Sequence, residues 1–392
     1  MSRYDRLSGN EAVANAIRQI DPDVIAAFPI TPSTEIPQFI SSFKAAGKIS
    51  TEFITVESEH SAISACVGAE AAGVRAMTAT SSAGFALMHE MLYVAASDRL
   101  PIVMAVANRA LTGPININND HSDSMGSRDS GWIQIYSENA QEAYDNMLMA
   151  HRIAEDSRVR LPLMVCMDGF ITSHAVQNLT LEDDADARAF AGVYRPEIRL
   201  LNPSQPAAYG PYGISAYYME LKKTQTEAMR AALTVIQEVS DAYAKLTGRQ
   251  YGLIESYRME DAELAAVLIG SSAGTGKDAV DELRGKGIRA GLVKIRSFRP
   301  FPAEAVAEAL KGVKAVAVMD KDDSFSACGG PLGAEVRSAM YCAGLRAPAL
   351  NIVYGLGGRD VRLEDFRTVF GLLQKAADGE PAERFTYIGV RE

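Results

Sequence analysis

The chain reads as an α/β protein made of two parallel-sheet domains. Apolar strand-like runs alternate with stretches of helical periodicity from about residue 10 to 167, and the alternation resumes from about 265 to 375. The strand-like runs are also apolar at nearly every position, as expected for strands covered by helices on both faces of a parallel sheet. The expected division of the 392 residues is a first domain over 1–230, a helical connector over 231–255 and a smaller second domain over 256–392.

Taken in order, Val13, Ile17 and Ile20 mark one face of a first helix, Val24 to Phe28 a strand, and Ile36, Phe39, Ile40 and Phe43 a second helix. A strand over 53–56, an alanine-rich helix near 60–72, a strand over 76–80 and a helix near 84–95 follow. The block closes with a strand over 102–107, a helix near 138–156 and a strand over 161–167. The stretch from Leu111 to Ser130 has no periodicity and is rich in Asn and Asp; a loop this long in a compact domain tends to be functional. From 175 to 225 a Pro-, Gly- and Tyr-containing stretch reads as an irregular connector, followed by a helix near 225–246. The second block opens with the apolar run 265–270 and continues with strands near 290–295, 314–319 and 350–353, with helices near 277–285, 303–310, 333–343 and 363–375.

Composition narrows the function. With 39 basic and 49 acidic residues the net charge is -10, and no Lys/Arg run is present to neutralise a phosphate backbone, so nucleic acid is not an expected partner. No apolar run approaches the roughly 20 residues of a membrane span, and the first residues lack the apolar core of a signal peptide, so a cytoplasmic location is expected. The four cysteines, Cys66, Cys166, Cys328 and Cys342, show no ligand spacing and are expected to be buried apolar thiols. The five histidines form no HxxE or HExxH pattern, and no metal site is expected; His121 is the one most suited to line a pocket or hydrogen-bond within a surface loop.

Two glycine-rich stretches invite a phosphate reading. Gly270 to Lys277 fails the phosphate-loop pattern, which needs glycine at Ser271 and a hydroxyl at Asp278, and is expected to be a strand-to-helix turn. Gly355-Leu356-Gly357-Gly358-Arg359-Asp360 offers either a structural turn, the more economical view, or an anion nest.

The candidate site rests on three runs that each follow an apolar strand: Phe28-Pro29-Ile30-Thr31-Pro32-Ser33, Val56-Glu57-Ser58-Glu59-His60 and Asn108-Arg109-Ala110. Open parallel sheets present ligand-binding groups at that position. Arg109 at a strand end is placed to hold a carboxylate in bidentate fashion. Thr31 sits on a rigid loop between residues that also suit a helix N-cap. Glu59 is either a proton-managing acid or a surface acid favoured by a helix N-terminus.

Together with Thr78-Ala79-Thr80-Ser81-Ser82-Ala83-Gly84, Asn119-Asp120-His121-Ser122-Asp123, Arg128-Asp129-Ser130-Gly131-Trp132, Phe298-Arg299-Pro300-Phe301-Pro302 and the Gly355–Asp360 run, these stretches resemble the alpha chains of the thiamine diphosphate-dependent 2-oxoacid:ferredoxin oxidoreductase family, pyruvate:ferredoxin oxidoreductases among them. The resemblance covers essentially the whole chain. It implies a pyrimidine-type thiamine diphosphate-binding fold followed by a transketolase C-terminal-like domain. It also implies a division of labour. A beta subunit binds the diphosphate through Mg²⁺, a ferredoxin-like subunit carries [4Fe–4S] clusters, and a gamma subunit or domain completes the complex; this chain has neither a Gly-Asp-Gly motif nor cluster cysteines.

By the same resemblance, Glu59 bonds the pyrimidine nitrogen N1′ and favours the tautomer that removes the thiazolium C2 proton. Thr31 and Arg109 bind the substrate carboxylate and developing alkoxide, and Ser82 contacts the cofactor. Loss of CO₂ leaves an electron-rich adduct that the clusters oxidise, and coenzyme A accepts the acyl group. The implied reaction is oxidative decarboxylation of pyruvate. The polar run Pro114-Ile115-Asn116-Ile117-Asn118-Asn119 departs from the family pattern and leaves open another small 2-oxoacid or oxalate. A non-catalytic scaffold is the reading from another class; retention of Thr31, Glu59 and Arg109 together speaks against it.

Overall fold

The structure, a computed structural model, describes residues 2–327 and 329–391. In chain order its strands are β1 (Arg3–Leu7), β2 (Val24–Ala27), β3 (Glu52–Thr55), β4 (Ala76–Thr80), β5 (Val103–Asn108), β6 (Ile133–Ser137), β7 (Leu163–Asp168) and β8 (Gln177–Leu181). They continue with β9 (Ile254–Tyr257), β10 (Leu264–Leu268), β11 (Ala290–Ile295), β12 (Ser297–Arg299), β13 (Ala315–Asp320), β14 (Ala349–Val353) and β15 (Phe385–Tyr387). Among the described residues they form a seven-stranded sheet in the order β12-β6-β7-β5-β4-β2-β3, a six-stranded sheet β15-β14-β13-β10-β11-β9 and a two-stranded ribbon β1-β8. Within the two large sheets every pairing is parallel except β12 with β6 and β9 with β11, and the ribbon is antiparallel. The α/β class with parallel-dominated sheets is as the sequence predicts.

The all-apolar strands have a direct explanation. Along β5, Val103, Ala105 and Ala107 face one hydrophobic core, while Met104 and Val106 face another. Along β7, Leu163, Val165 and Met167 face the first core, and Met164 and Cys166 the second. The first core is closed by the helices Gly9–Ile20, Glu35–Ala45, Ala140–Ala154 and Tyr218–Thr247. The second core lies under the helix Glu59–Ala72 and continues into the six-stranded sheet through Ala265, Val267, Val293, Val316 and Val318. The outer face of that sheet is covered by the helices Ser272–Gly285 and Leu363–Ala377.

Several elements lack a sequence signal. The three-residue β12 follows β11 of the second block yet pairs with β6 of the first sheet. β1, β8 and β15 are short and partly exposed, with five, five and three residues to carry their pattern. The helix Tyr218–Thr247 begins earlier than the expected 225, and its apolar side, Ala228, Ala232, Val235, Ile236 and Tyr243, packs into the first core without a break at residue 230. Gly270 has a φ of +78° and leads into the helix Ser272–Gly285, the expected strand-to-helix turn. Cys66 and Cys166 are buried as expected, and burial pushes the Cys66 thiol up to about 12. Cys342 is exposed instead, because it ends the helix Pro331–Cys342 on its solvent side beside the exposed Tyr341. Cys328 lies outside the described residues.

Candidate active site

In the large sheet β2, β3, β4, β5 and β7 run parallel, so their carboxyl ends share one edge. Thr31 lies beyond β2, Glu59 beyond β3, Ser82 beyond β4 and Arg109 beyond β5. Adjacent strands β2 and β4 lead away in opposite directions, to β3 on one side and to β5 on the other. A reversal of that kind opens a crevice at the sheet edge, the usual ligand position in open α/β sheets.

Glu59 opens the helix Glu59–Ala72, whose N-cap Ser58 accepts a hydrogen bond from the Ser61 amide at 3.2 Å. It is no surface acid: only 6% of it is exposed, and no cation of the described residues pairs with it. Its carboxyl lies over Gly84, where a Cβ would come within 2.3 Å of Oε1. The sequence stretch Ser82 to Gly84 therefore shapes the space around the acid.

Arg109 is 7% exposed and makes no ion pair among the described residues. Its Nη1 donates to the Thr31 carbonyl and its Nε to the Asn116 carbonyl, both at 2.9 Å. The guanidinium thus bridges the 28–33 loop and the 111–119 loop, and neither bond uses Nη2. Thr31 contributes its carbonyl to this contact and is itself an exposed residue. Ser82 is fully buried with a φ of +45°, and its hydroxyl donates to the Ala110 carbonyl. That hydroxyl serves the turn next to Arg109.

The group that gathers these turns is Asp123, on the short helix Ser122–Gly126 inside the long loop. Its carboxylate accepts from the amides of Ser82 and Arg109 at 2.9 Å each and from Asn108 Nδ2 at 2.8 Å. Burial pushes this carboxyl up to about 6 against the pull of those donors. Within the resemblance the Asn119–Asp123 run was visible in the sequence, but nothing in it marked Asp123 as the hub.

A second buried group has no motif of its own in the sequence. Asp168, at the end of β7, accepts from Lys321 Nζ at 2.6 Å and lies 2.8 Å from His121 Nε2, and Ser271 donates to it through both its amide and its hydroxyl. Burial disfavours its ionised form, but Lys321 and His121 outweigh that and hold the carboxyl far below the usual range. His121 therefore lies buried at the junction of the two sheets rather than in a surface loop. The sequence signal available was that β7 and β13 both end on aspartate after an apolar run.

One cluster of carboxylates, Glu138, Glu142 and Glu255, has the spacing of metal ligands. Lys294 Nζ reaches all three, at 2.6, 2.5 and 2.7 Å, and Lys277 reaches Glu138 and Glu255 at 2.8 Å each. These two ammonium groups supply the positive charge the cluster needs.

Two family models match the chain: "Pyruvate flavodoxin/ferredoxin oxidoreductase, thiamine diP-bdg" over residues 15–241 and "Pyruvate:ferredoxin oxidoreductase core domain II" over 262–366. The chain belongs to the pyruvate flavodoxin/ferredoxin oxidoreductase family. Among curated members it is 50% identical to pyruvate synthase subunit PorA of Thermotoga maritima over 387 residues, covering 98% of each chain. It is 46% identical to the subunit of the same name from Methanocaldococcus jannaschii, again over 98% of each. Among solved structures, 2-oxoglutarate:ferredoxin oxidoreductase from Magnetococcus marinus superposes with a TM-score of 0.71 at 18% identity, with 95% of this chain aligned to 65% of that one, a likeness of fold. The first family segment holds Thr31, Glu59, Ser82, Arg109 and Asp123, so it includes the whole edge described above.

Proposed function

We propose that this chain is the alpha subunit of a cytoplasmic complex that oxidatively decarboxylates pyruvate to acetyl-CoA and CO₂ and passes the electrons to ferredoxin. The observation that carries the reading is the pairing, on one sheet edge of a thiamine diphosphate-binding family chain, of a buried carboxyl under a glycine with a guanidinium anchored to two loop carbonyls. The missing side chain at Gly84 leaves room for the Glu59 carboxyl itself, which a Cβ there would displace, so the glycine sets where the acid can meet a cofactor ring.

In this reading residues 1–230 hold the aminopyrimidine, 231–255 connect, and 256–392 form the transketolase C-terminal-like unit. Thiamine diphosphate, when bound, supplies the nucleophilic carbon and the electron sink for decarboxylation. Glu59 holds the shared proton at the pyrimidine nitrogen. Ser82 lines the cofactor side through its turn rather than through its hydroxyl, which is already donated. Arg109 turns Nη2 toward the substrate carboxylate, and the Thr31 hydroxyl adds a donor there. The diphosphate with its Mg²⁺ falls to a beta subunit, the [4Fe–4S] clusters to a ferredoxin-like subunit, and a gamma subunit or domain completes the assembly, with coenzyme A and a small 2-oxoacid as substrates.

The test is to purify the complex with its partner chains and measure coenzyme A-dependent reduction of ferredoxin with pyruvate, oxalate, 2-oxoglutarate and branched-chain 2-oxoacids. Pyruvate should give the highest kcat/KM. Absence of thiamine diphosphate-dependent turnover with every 2-oxoacid would return the chain to the scaffold reading.

A further inference from the structure

Asn116 faces two ways. Its carbonyl receives Arg109 Nε, while its side-chain amide donates to the Gly357 carbonyl at 3.0 Å, across the junction between the sheets. On the Gly357 side lies a cavity of about 430 Å³ whose wall includes Asn116, Gly357, Gly358, Arg359, Arg362 and Arg391. A volume of that order suits a small molecule.

The cavity is electropositive in a chain of net charge -10. Three guanidiniums line it against the single carboxylate of Asp360. None of the three makes an ion pair with a described carboxylate, whereas Arg367, one turn further on, is held by Glu282 and Glu364 at 2.7 Å each. Arg362 is the N-cap of the 15-residue helix Leu363–Ala377, so the positive end of a helix dipole opens on the same space. The first-turn acids are committed elsewhere, Asp365 to the Arg362 amide at 2.8 Å and Glu364 to Arg367. The wall between is a turn with φ of +66°, +59° and +79° at Gly355, Gly357 and Gly358; the amides of Gly357, Gly358 and Arg359 are donated to Asp120 and to the Gly355 and Leu356 carbonyls, so the guanidiniums rather than the turn supply the donors for an anion.

Three exposed guanidiniums without a carboxylate partner among the described residues line one hollow, and a multiply charged anion can engage more than one of them. A single carboxylate would engage one fork; a phosphate or diphosphate presents enough oxygens for several. We propose that this cavity, formed by Arg359, Arg362 and Arg391 around the Gly355–Gly358 turn, binds the phosphate moiety of a phosphorylated small molecule. Because Asn116 forms part of its wall, the bound anion lies one residue away from the contact that anchors Arg109. The inference does not depend on the reaction proposed above.

The experiment uses the assembled complex saturated with thiamine diphosphate, so that the cofactor's own diphosphate site is filled, and measures radiolabelled pyrophosphate binding by equilibrium dialysis. Saturable binding at one site per copy of this chain is expected. It should weaken roughly tenfold in the R359Q/R391Q double variant, consistent with loss of two solvent-facing charge contacts, and stay unchanged in R367Q. Raising the salt concentration should weaken it as well. Competition separates the sources: displacement by ATP or adenosine 3′,5′-bisphosphate well below the concentration needed of inorganic phosphate identifies a nucleotide, and equal displacement identifies the free anion. Absence of the site in the wild type, or equal binding by R359Q/R391Q, overturns the proposal. So does loss of a partner chain from the R359Q/R391Q complex, which would mean that the arginines meet an acidic protein surface.

Discussion

Gly84 is where a single methyl group tests the proposed chemistry. It sits in the helix Ser82–Leu87 without a positive φ, so alanine is conformationally acceptable there and by helix propensity alone would stabilise by about 1 kcal/mol. A Cβ at that position would nevertheless lie 2.3 Å from Glu59 Oε1, 2.7 Å from Cδ and 2.8 Å from Cγ. Ordinary contacts of this kind are nearer 3.5 Å, so the Glu59 carboxyl has to retreat by roughly 1 Å. Forcing it off its rotamer costs about 0.5–1.5 kcal/mol, which nearly cancels the propensity gain and leaves net stability within about 1 kcal/mol of wild type. A displacement of about 1 Å at a reacting group lowers rate on the order of 10²-fold. Gly84→Ala should therefore cut cofactor-dependent pyruvate oxidation by the assembled complex about 100-fold while its melting curve barely moves. The shorter acid of Glu59→Asp withdraws from the added methyl, so Gly84→Ala should cost much less in a Glu59→Asp background than in wild type. Full activity of Gly84→Ala with an unchanged fold would show that the position of Glu59 does not matter to turnover, and the acid would lose its assigned role.

Glu59→Gln should lower kcat by about 10²- to 10⁴-fold while the complex still assembles and binds cofactor; a loss below about tenfold counts against proton sharing. Arg109→Lys removes the fork that spans the Thr31 and Asn116 carbonyls, so kcat/KM for the 2-oxoacid should fall roughly 10- to 150-fold, corresponding to about 1.5–3 kcal/mol. Thr31→Val keeps the carbonyl that Arg109 uses and should cost less; the reverse ranking in steady-state kinetics refutes the assignment. Lys321→Met strands the buried Asp168 carboxylate and should destabilise by about 3–5 kcal/mol in denaturant titrations, most of it recovered in Asp168→Asn/Lys321→Met. Asp322 is raised to about 7 by burial first and then by Asp120 and Asp320, against the opposing pull of His121 and Arg128. Between an unfolded value of about 4 and that folded value the native state binds more protons than the unfolded one, so this group makes stability fall as pH rises. Asp322→Asn should accordingly gain on the order of 2 kcal/mol at pH 8 and little at pH 4.5, measured as the pH dependence of the unfolding midpoint.

How much of this the sequence reveals depends on the range of the interaction. Thr31, Glu59 and Arg109 are legible because each follows its own buried strand within a few residues, and parallel pairing then brings the strand ends to one edge. Their shared partner is less legible. Asp123 lies 14 residues from Arg109 and 41 from Ser82, in a stretch whose periodicity is nil apart from a five-residue helix. The bond between Asp168 and Lys321 spans 153 positions, and the sequence shows only that each ends or follows an apolar strand. β12 is three residues long, too short for any period, and its place in the first sheet is decided by the antiparallel seam with β6. His121 stood out as polar and aromatic within an Asn/Asp run; that it is buried follows from the second sheet closing over it, where its amide meets the Lys321 carbonyl at 2.8 Å.

The two sheets meet where polar groups are hardest to bury. Asp168 ends β7, Lys321 follows β13, and Ser271 follows β10, so the carboxyl ends of strands in both large sheets face one another across the junction. Main-chain groups at strand ends have no ladder to complete, and taking them out of water needs partners supplied from the other side. Lys321 and Ser271 supply them to Asp168, and Gly357 supplies them to Asn116 and Asp120 through its carbonyl and amide. The second core is continuous through the junction, from Ile63 and Phe85 to Val293 and Val316, so apolar burial and polar satisfaction are achieved together. The loop that presents Arg109 is consequently held from both sides. Its carbonyl at Asn116 orients the guanidinium, and the same residue is tied by its side chain to a glycine turn of the second sheet. The second block therefore acts on the edge that carries Glu59 and Arg109 by fixing the far end of the loop on which the guanidinium depends.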